Sequence, residues 1–198
     1  MTRAASLAPE ARRQQLLDTA RDVFATRGYH NTGVADIIEA AGVARGTFYN
    51  YFESKRAVFQ AVLEAMLADI VATIAPIDVG RPVAPQVHDD LVRLVAVLVG
   101  LRGAVRILFT DAVAIDVEGA DTLRAFYLSA EDRLSRALAT GQRMGIVRDG
   151  DAQIMATLLI GMIREPVVQA WLQQRPVDPD AVVAEVERTL LGGVIRAR

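Results

Sequence analysis

Apolar residues recur every three or four positions through most of this chain, and this spacing predicts α-helices. No stretch shows the alternation of apolar and polar residues that is typical of strands, and no segment repeats. We therefore expect an all-α protein of about nine helices. The predicted helices cover residues 9–27, 34–41, 45–52, 55–75, 86–101, 104–116, 120–144, 152–173 and 179–194.

The second and third predicted helices are short and are joined by a tight turn. The apolar stripe of the second helix ends at Ala41, and Gly42 follows, where a left-handed conformation is needed. In the third helix Phe48 and Phe52 are four residues apart, so they share one face that can pack inward. This order of helix, glycine turn and helix predicts a helix-turn-helix motif.

The other faces of the third helix carry side chains that suit DNA. Arg45 can donate two hydrogen bonds to guanine, Thr47 can meet a phosphate or a thymine methyl group, and Gly46 permits a close approach. Tyr49 and Tyr51 lie beside them. For the two tyrosines a half-buried core position is the alternative, and for Arg45 the alternative is a solvated charge.

Residues on both sides of this motif extend the pattern. The first helix ends in Phe24-Ala25-Thr26-Arg27-Gly28-Tyr29, Thr32 and Val34-Ala35-Asp36-Ile37 follow, and GVARGTFYNYFESK occupies residues 42–55. Over roughly residues 10–60 this series resembles the TetR family of transcriptional regulators. The resemblance implies phosphate contacts from Thr32, Tyr51 and Lys55, and entry into the major groove by Arg45, Gly46, Thr47 and Tyr49.

The sequence departs from the family pattern at three of these positions. Ala44 stands where a serine usually caps the third helix, Gly33 where a second hydroxyl residue often follows Thr32, and Tyr51 where histidine is common. Loss of the Ala44 cap weakens the third helix by ~1 kcal/mol. Thr32 is then the only hydroxyl at the start of the second helix, so we expect its capping and phosphate roles to compete.

The eighth predicted helix is apolar on every side over residues 154–163. Such a helix needs two partners. One face can pack within its own subunit, and a second chain can cover the other face together with the apolar stripe of the ninth helix. Burial wholly within one monomer is the alternative. The family resemblance favours a homodimer through the eighth and ninth helices, with Leu158 and Leu190 in the interface.

Composition restricts the chemistry further. The chain of 198 residues has no cysteine and two histidines, which excludes disulfides and thiolate metal sites, so we expect neither a metal nor a cofactor. No nucleophile motif or glycine-rich phosphate loop indicates an enzyme.

The charge is divided unevenly along the chain. Residues 1–58 carry eight basic and six acidic side chains, so the net charge of −2 divides into +2 for this part and −4 for the remainder. That polarity suits a protein that lays one end on DNA.

The N-terminus lacks an apolar signal core, and no run approaches the ~18 apolar residues of a membrane span, so we expect a cytoplasmic protein without membrane contact. We expect a DNA-binding domain over residues 1–56 and a helical effector-binding and dimerisation domain over 57–198. The expected function is a ligand-responsive repressor that binds a palindromic operator as a homodimer and is released by a small, largely apolar organic effector. The alternative is a regulator without a small-molecule effector, controlled by a protein partner.

Candidate effector contacts are aromatic, methionine and charged residues in the predicted sixth to eighth helices. Core packing is the alternative for the apolar candidates, and a surface or paired position is the favoured alternative for the charged ones. The candidates are Arg106, Phe109, Phe126, Tyr127, Met155, Met162, Glu165 and Trp171.

Overall fold

The computed structural model describes residues 7–100 and 117–193, and the regular elements in these ranges are eight α-helices, which confirms the all-α prediction. The predicted helix over residues 104–116 lies outside the described residues. The helices are α1 (Pro9–Arg27), α2 (Val34–Ala41), α3 (Arg45–Tyr49), α4 (Lys55–Ala72), α5 (Val83–Gly100), α6 (Val117–Arg143), α7 (Ala152–Leu172) and α8 (Pro179–Gly193).

Short polar side chains begin two of the long helices. The Ser54 hydroxyl accepts the backbone N–H of Ala57 at 3.0 Å, as expected for the cap of α4. The Asp151 carboxylate accepts the N–H groups of Gln153 and Ile154 at the start of α7. Ala44 makes no such bond before α3, as its side chain predicts.

Two helices end earlier than the apolar pattern predicts. α3 ends at Tyr49 rather than at residue 52, because the Tyr51 N–H donates three residues back to the Phe48 carbonyl at 3.0 Å, which makes a tighter turn than an α-helix. α4 ends at Ala72 rather than near residue 75. The Thr73 hydroxyl takes up the Ile70 carbonyl there at 2.7 Å, so Ile74 leaves the helix and is 47% exposed.

A continuous core joins the first three helices to the rest of the protein. Phe24 of α1, Ile37 of α2 and Phe48 of α3 are all fully buried. The wide apolar face of α4 packs in the same cluster, which extends to Leu123 of α6 and Val167 of α7. α4 therefore belongs to both parts of the molecule, and it positions the helix-turn-helix relative to the remaining helices.

A second core lies between the carboxy-terminal helices. Its buried members include Val95 of α5, Leu138 of α6, Met155 of α7 and Val183 of α8. Leu190 belongs to this core and is 7% exposed. The apolar stripe of α8 is thus covered mainly within its own chain, so the expectation that this stripe awaits a second subunit is wrong for Leu190.

α7 has two different apolar faces, as its sequence predicts. Met155, Ala156 and Leu159 are buried, whereas Ile154 and Leu158 are 60% and 58% exposed. Among the described helices, α7 alone is long and apolar enough to cross a membrane by length and composition, with 28% of its most apolar window buried. In the sequence, Arg164 and Glu165 interrupt the apolar run of α7 after Ile163, so the expectation about uninterrupted apolar runs is unchanged. One face of α7 packs in the second core, and the other face is exposed.

Candidate DNA-binding surface

The turn between α2 and α3 has the geometry that Gly42 was expected to provide. Gly42 has a φ of 63°, and its N–H donates to the Glu39 carbonyl at 3.1 Å. The N–H of Val43 then donates to the Ile38 carbonyl at 3.3 Å. A side chain at Gly42 would be strained in this left-handed conformation, so the turn depends on glycine.

The inner face of α3 is aromatic. Phe48 is fully buried and Phe52 is 4% exposed, with their ring centroids 5.9 Å apart. The guanidinium of Arg13 in α1 lies 5.4 Å from the Phe52 ring centre. These contacts fix the rotation of α3 about its axis, and the rotation decides which residues face outward.

The outer face of α3 is largely exposed, although the Tyr49 ring touches Phe48 edge-on with a centroid distance of 5.4 Å. Arg45, Gly46 and Tyr49 are exposed and Thr47 is half-buried. The Arg45 guanidinium lies 5.6 Å from the Tyr49 ring centre, a stacking arrangement that holds the arginine over the surface of the helix. A Cβ atom built on Gly46 meets no other atom within 4 Å. The helix therefore presents a cation, a hydroxyl and a bare stretch of backbone to the outside.

Tyr51 lies at the border of this surface. Its side chain is half-buried and packs against the first core, whereas Tyr49 is 43% exposed. The alternative of a half-buried core position thus applies in part to Tyr51.

Thr32 is placed differently from the expectation. It is 2% exposed, and its hydroxyl donates to the Gly28 carbonyl at 2.8 Å, so it closes the end of α1 instead of capping α2. The residue before α2 is Gly33, whose N–H donates to the Asp36 carboxylate at 2.6 Å. Asp36 takes over the start of α2 because Gly33 has no side chain to offer.

The carboxyl of Asp36 also joins α2 to α1. Its second oxygen accepts a hydrogen bond from Arg27 at 2.7 Å. The bond from the Gly33 N–H, helped by the Arg27 charge, lowers the pKa of Asp36 below its ordinary value of 3.8. The carboxylate is therefore charged at neutral pH and fastens the first two helices together.

Lys55, the first residue of α4, is half-buried and turns back toward the α1–α2 turn. Its Nζ donates to the Tyr29 carbonyl at 3.0 Å and lies 4.2 Å from the centre of the Tyr29 ring. The expected phosphate donor is thus already bonded inside the protein.

Asn50 is a candidate that the sequence analysis missed. It is exposed and follows α3 with helical dihedral angles, φ −71° and ψ −19°. Because consecutive helical residues are rotated by about 100°, Gly46 and Asn50, two residues on either side of the buried Phe48, both lie opposite it. With Phe48 taken as the inward residue, the same helical rotation predicts from the sequence that Asn50 faces outward.

The candidate effector residues are not gathered in one place. Phe126, Tyr127 and Trp171 are half-buried against the first core, whereas Met155 and Met162 belong to the second. Glu165 is exposed and accepts a hydrogen bond from Gln169 at 2.7 Å. Arg106 and Phe109 lie outside the described residues.

Tyr127 has the most unusual surroundings in this group. Burial raises the pKa of its phenol, although the positive charge of Arg164 opposes the shift. The Arg164 guanidinium lies 5.8 Å from the Tyr127 ring centre, across the contact between α6 and α7. No cluster of three metal-ligating side chains occurs in the residues described.

Residues 16–62 match the family model for bacterial regulatory proteins of the tetR family. The HTH-type transcriptional repressor DhaR of Mycobacterium sp. (strain GP1) is 27% identical over 183 residues, covering 90% of this chain and 92% of the repressor. The HTH-type transcriptional activator FasR of Mycolicibacterium smegmatis (strain ATCC 700084 / mc(2)155) is 28% identical over 197 residues, covering 93% and 84% of the two chains.

The similarity extends to solved structures. The transcriptional regulator FadR from Bacillus subtilis, crystallised in complex with stearoyl-CoA, superposes with a TM-score of 0.75. Its sequence is 22% identical, and the alignment covers 91% of this chain and 98% of that one. The shared fold thus includes the carboxy-terminal helices, beyond the segment that the family model matches.

Proposed function

This chain belongs to the TetR family of transcriptional regulators, and we propose that it is a repressor that binds a palindromic operator as a homodimer and leaves it when a small, largely apolar organic effector binds. It is a DNA-binding regulator and not an enzyme. The proposal that it represses rests on similarity to a repressor of almost the same length, although an activator is equally similar.

The observation that carries the proposal is the outward face of α3. Arg45, Gly46, Thr47 and Tyr49 form its exposed or half-exposed surface, and we assign them to the major groove. We assign the Tyr51 hydroxyl and the backbone N–H groups at the start of α4, from Lys55 onward, to phosphates, because hydroxyl groups and helix N-termini bind anions. Thr32, whose hydroxyl is bonded to Gly28, supports this surface from inside.

Dimerisation is supported by the uncovered face of α7. Ile154, Leu158 and Leu172 are each more than half exposed although all three are large and apolar. Since they lie at helical spacing along one side of α7, a second copy of the chain would bury them together. Leu191 of α8, 37% exposed, extends the same proposal to the last helix.

The effector part of the proposal rests on the apolar side chains of the carboxy-terminal helices. We propose residues 57–198 as the effector-binding and dimerisation domain and residues 1–56 as the DNA-binding domain. Phe126, Tyr127 and Trp171 are the described candidates nearest the core that α4 shares. The stearoyl-CoA complex of the Bacillus subtilis regulator illustrates that a related fold can hold a long apolar ligand. As a DNA-binding regulator, the protein would act in the cytoplasm.

Selection from genomic DNA fragments tests operator binding. We expect an enriched two-fold sequence whose half-sites are about one helical turn or a multiple apart, and affinity that falls steeply with salt. No enriched palindrome, or a flat salt dependence, would contradict the proposal.

A thermal-shift screen of apolar organic compounds tests the effector. A true effector must stabilise the protein. It must also weaken operator binding by the same factor by which operator DNA weakens effector binding, typically about 5–150-fold. A compound whose affinity is indifferent to DNA is not the inducer. If no compound shows this reciprocity, the alternative of control by a protein partner is favoured.

A further inference from the structure

Lys55 is the single lysine of the chain, which otherwise uses arginine at 21 of its 22 basic positions. Its ammonium donates to the Tyr29 carbonyl and also lies over the ring of the same residue. A compact ammonium can make both contacts at once, whereas a planar guanidinium presents its donors in a rigid fork. The local geometry therefore suits lysine at this position.

Tyr29 is a firm anchor for that ammonium. It belongs to the turn between α1 and α2, and its ring packs against Phe24 of α1 and Phe59 of α4 with centroid distances of 5.7 and 4.8 Å. Phe24 is fully buried and Phe59 is 2% exposed. Lys55 thus ties the first turn of α4 to a part of the protein that the core holds in place.

The same Tyr29 carbonyl also sets the approach to α2. It accepts the backbone N–H of Thr32 at 3.2 Å in addition to the lysine, which satisfies both of its lone pairs. Thr32 in turn holds the end of α1 through Gly28, and α2 begins two residues later. One backbone atom therefore fixes the start of α4 relative to the chain that leads into the helix-turn-helix.

We propose that the Lys55 side chain is a positioning residue for DNA recognition, which fastens α4 to the Tyr29 carbonyl and ring and so sets the orientation of α2 and α3. This inference rests on the proposed operator binding. It differs from a phosphate contact by the same ammonium, because an ammonium on a phosphate releases counterions and one on Tyr29 does not.

Three variants separate the two roles: Lys55→Met, Tyr29→Leu and the double variant. Methionine keeps the apolar stem of the lysine and removes the ammonium, and leucine removes the ring while keeping an apolar side chain. Arg56→Met is the matched control, since it removes the same charge from the next residue and leaves the Lys55–Tyr29 contact intact. Binding to the operator selected with the wild-type protein is measured by fluorescence anisotropy over a salt series.

We expect Lys55→Met to lower operator affinity by about tenfold, the loss typical of one hydrogen bond to a charged group. Tyr29→Leu keeps the backbone carbonyl and removes only the ring beneath the ammonium, so its loss should be smaller, about two- to fivefold, as is typical of a cation–π contact. The double variant should bind the operator no more weakly than the single variant with the larger loss, because the ring and the ammonium belong to one contact. The slope of log affinity against log salt should match that of the wild type. Urea unfolding of the same four proteins should show coupling between residues 29 and 55 as well.

Additive losses, or a slope for Lys55→Met that is shallower by ~0.9 per subunit, would assign the ammonium to a phosphate and overturn the inference. If Lys55→Met lowers operator affinity no more than Arg56→Met does, the inference is also overturned. Coupling in urea without coupling in operator affinity would restrict the contact to folding. Failure of the wild-type protein to select any operator would overturn the proposed function itself, and the inference with it.

Discussion

Replacing Gly46 by alanine should make the protein more stable and a poorer DNA binder. Glycine in a helix costs roughly 0.5–1 kcal/mol relative to alanine, and nothing within 4 Å of a Cβ atom at this position opposes the substitution. The gain of about 0.5–1 kcal/mol corresponds to a rise in Tm of roughly 1–4 °C for a chain of this size. In the structure described, no internal contact therefore requires glycine at position 46.

We expect the external reason for Gly46 to be the approach of α3 to DNA. A methyl group placed between the helix and a base pair should cost about as much as one mismatched base pair, ~1–3 kcal/mol per half-site, which is roughly 5- to 150-fold in affinity for each half-site. Ala44→Ser is the matched control, because it should stabilise the same helix by ~1 kcal/mol through an N-cap without filling the outer face. Its operator affinity should be no lower than that of the wild type.

Urea unfolding at one protomer concentration and anisotropy with the selected operator measure both effects. If Gly46→Ala is more stable and binds the operator as tightly as the wild type, DNA does not approach the helix at this point. If Gly46→Ala is less stable than the wild type, glycine has a structural role at this position, and the expected gain in stability is contradicted.

Further variants test other parts of the molecule. Arg45→Ala and Asn50→Ala should reduce discrimination among operator sequences more than binding to random DNA, and equal losses on both in anisotropy would move either residue to the phosphates. Leu158→Glu should give folded monomers in sedimentation, because the residue is 58% exposed in one chain, and a stable dimer would place the interface elsewhere. Asp36→Asn should be less stable than the wild type in urea above about pH 3.8, and the difference should shrink as the pH falls through the lowered pKa of Asp36, whereas a pH-independent difference would contradict the charged role.

Local signals in the sequence were sufficient for much of the amino-terminal part. Pro9 marks a helix start through its fixed φ angle, and Gly42 and Ser54 mark helix boundaries through bonds within a few residues. The structure has these boundaries where the sequence predicts them. The inward position of Phe48 and Phe52 follows from helical spacing alone. Such features are predictable because the groups that cause them are neighbours along the chain.

The hydrogen-bond partner of a side chain with several possible partners was not predictable, whether that partner is near or distant along the chain. Thr32 reads as a cap or a phosphate donor, yet its hydroxyl is used by Gly28, and the cap of α2 comes from Asp36. Lys55 reads as a phosphate donor, yet its nearest acceptor is 26 residues away at Tyr29. A side chain with several possible partners takes the one that the fold brings closest, and this choice is made in three dimensions.

The proposed dimer interface shows the same difference between pattern and packing. α7 and α8 both carry enough apolar residues to suggest an uncovered face, but only packing decides which residues remain outside. α5 covers Leu190 and its neighbours on α8, because the second core forms between these helices, while Leu158 on α7 faces away from that core. A charge at Leu190 would therefore disturb folding and association together, whereas a charge at Leu158 changes only the face that a second subunit would cover. The structure thus changes which of two apolar residues can test the proposed dimer, although both have the same side chain and lie in apolar stripes of equal appearance.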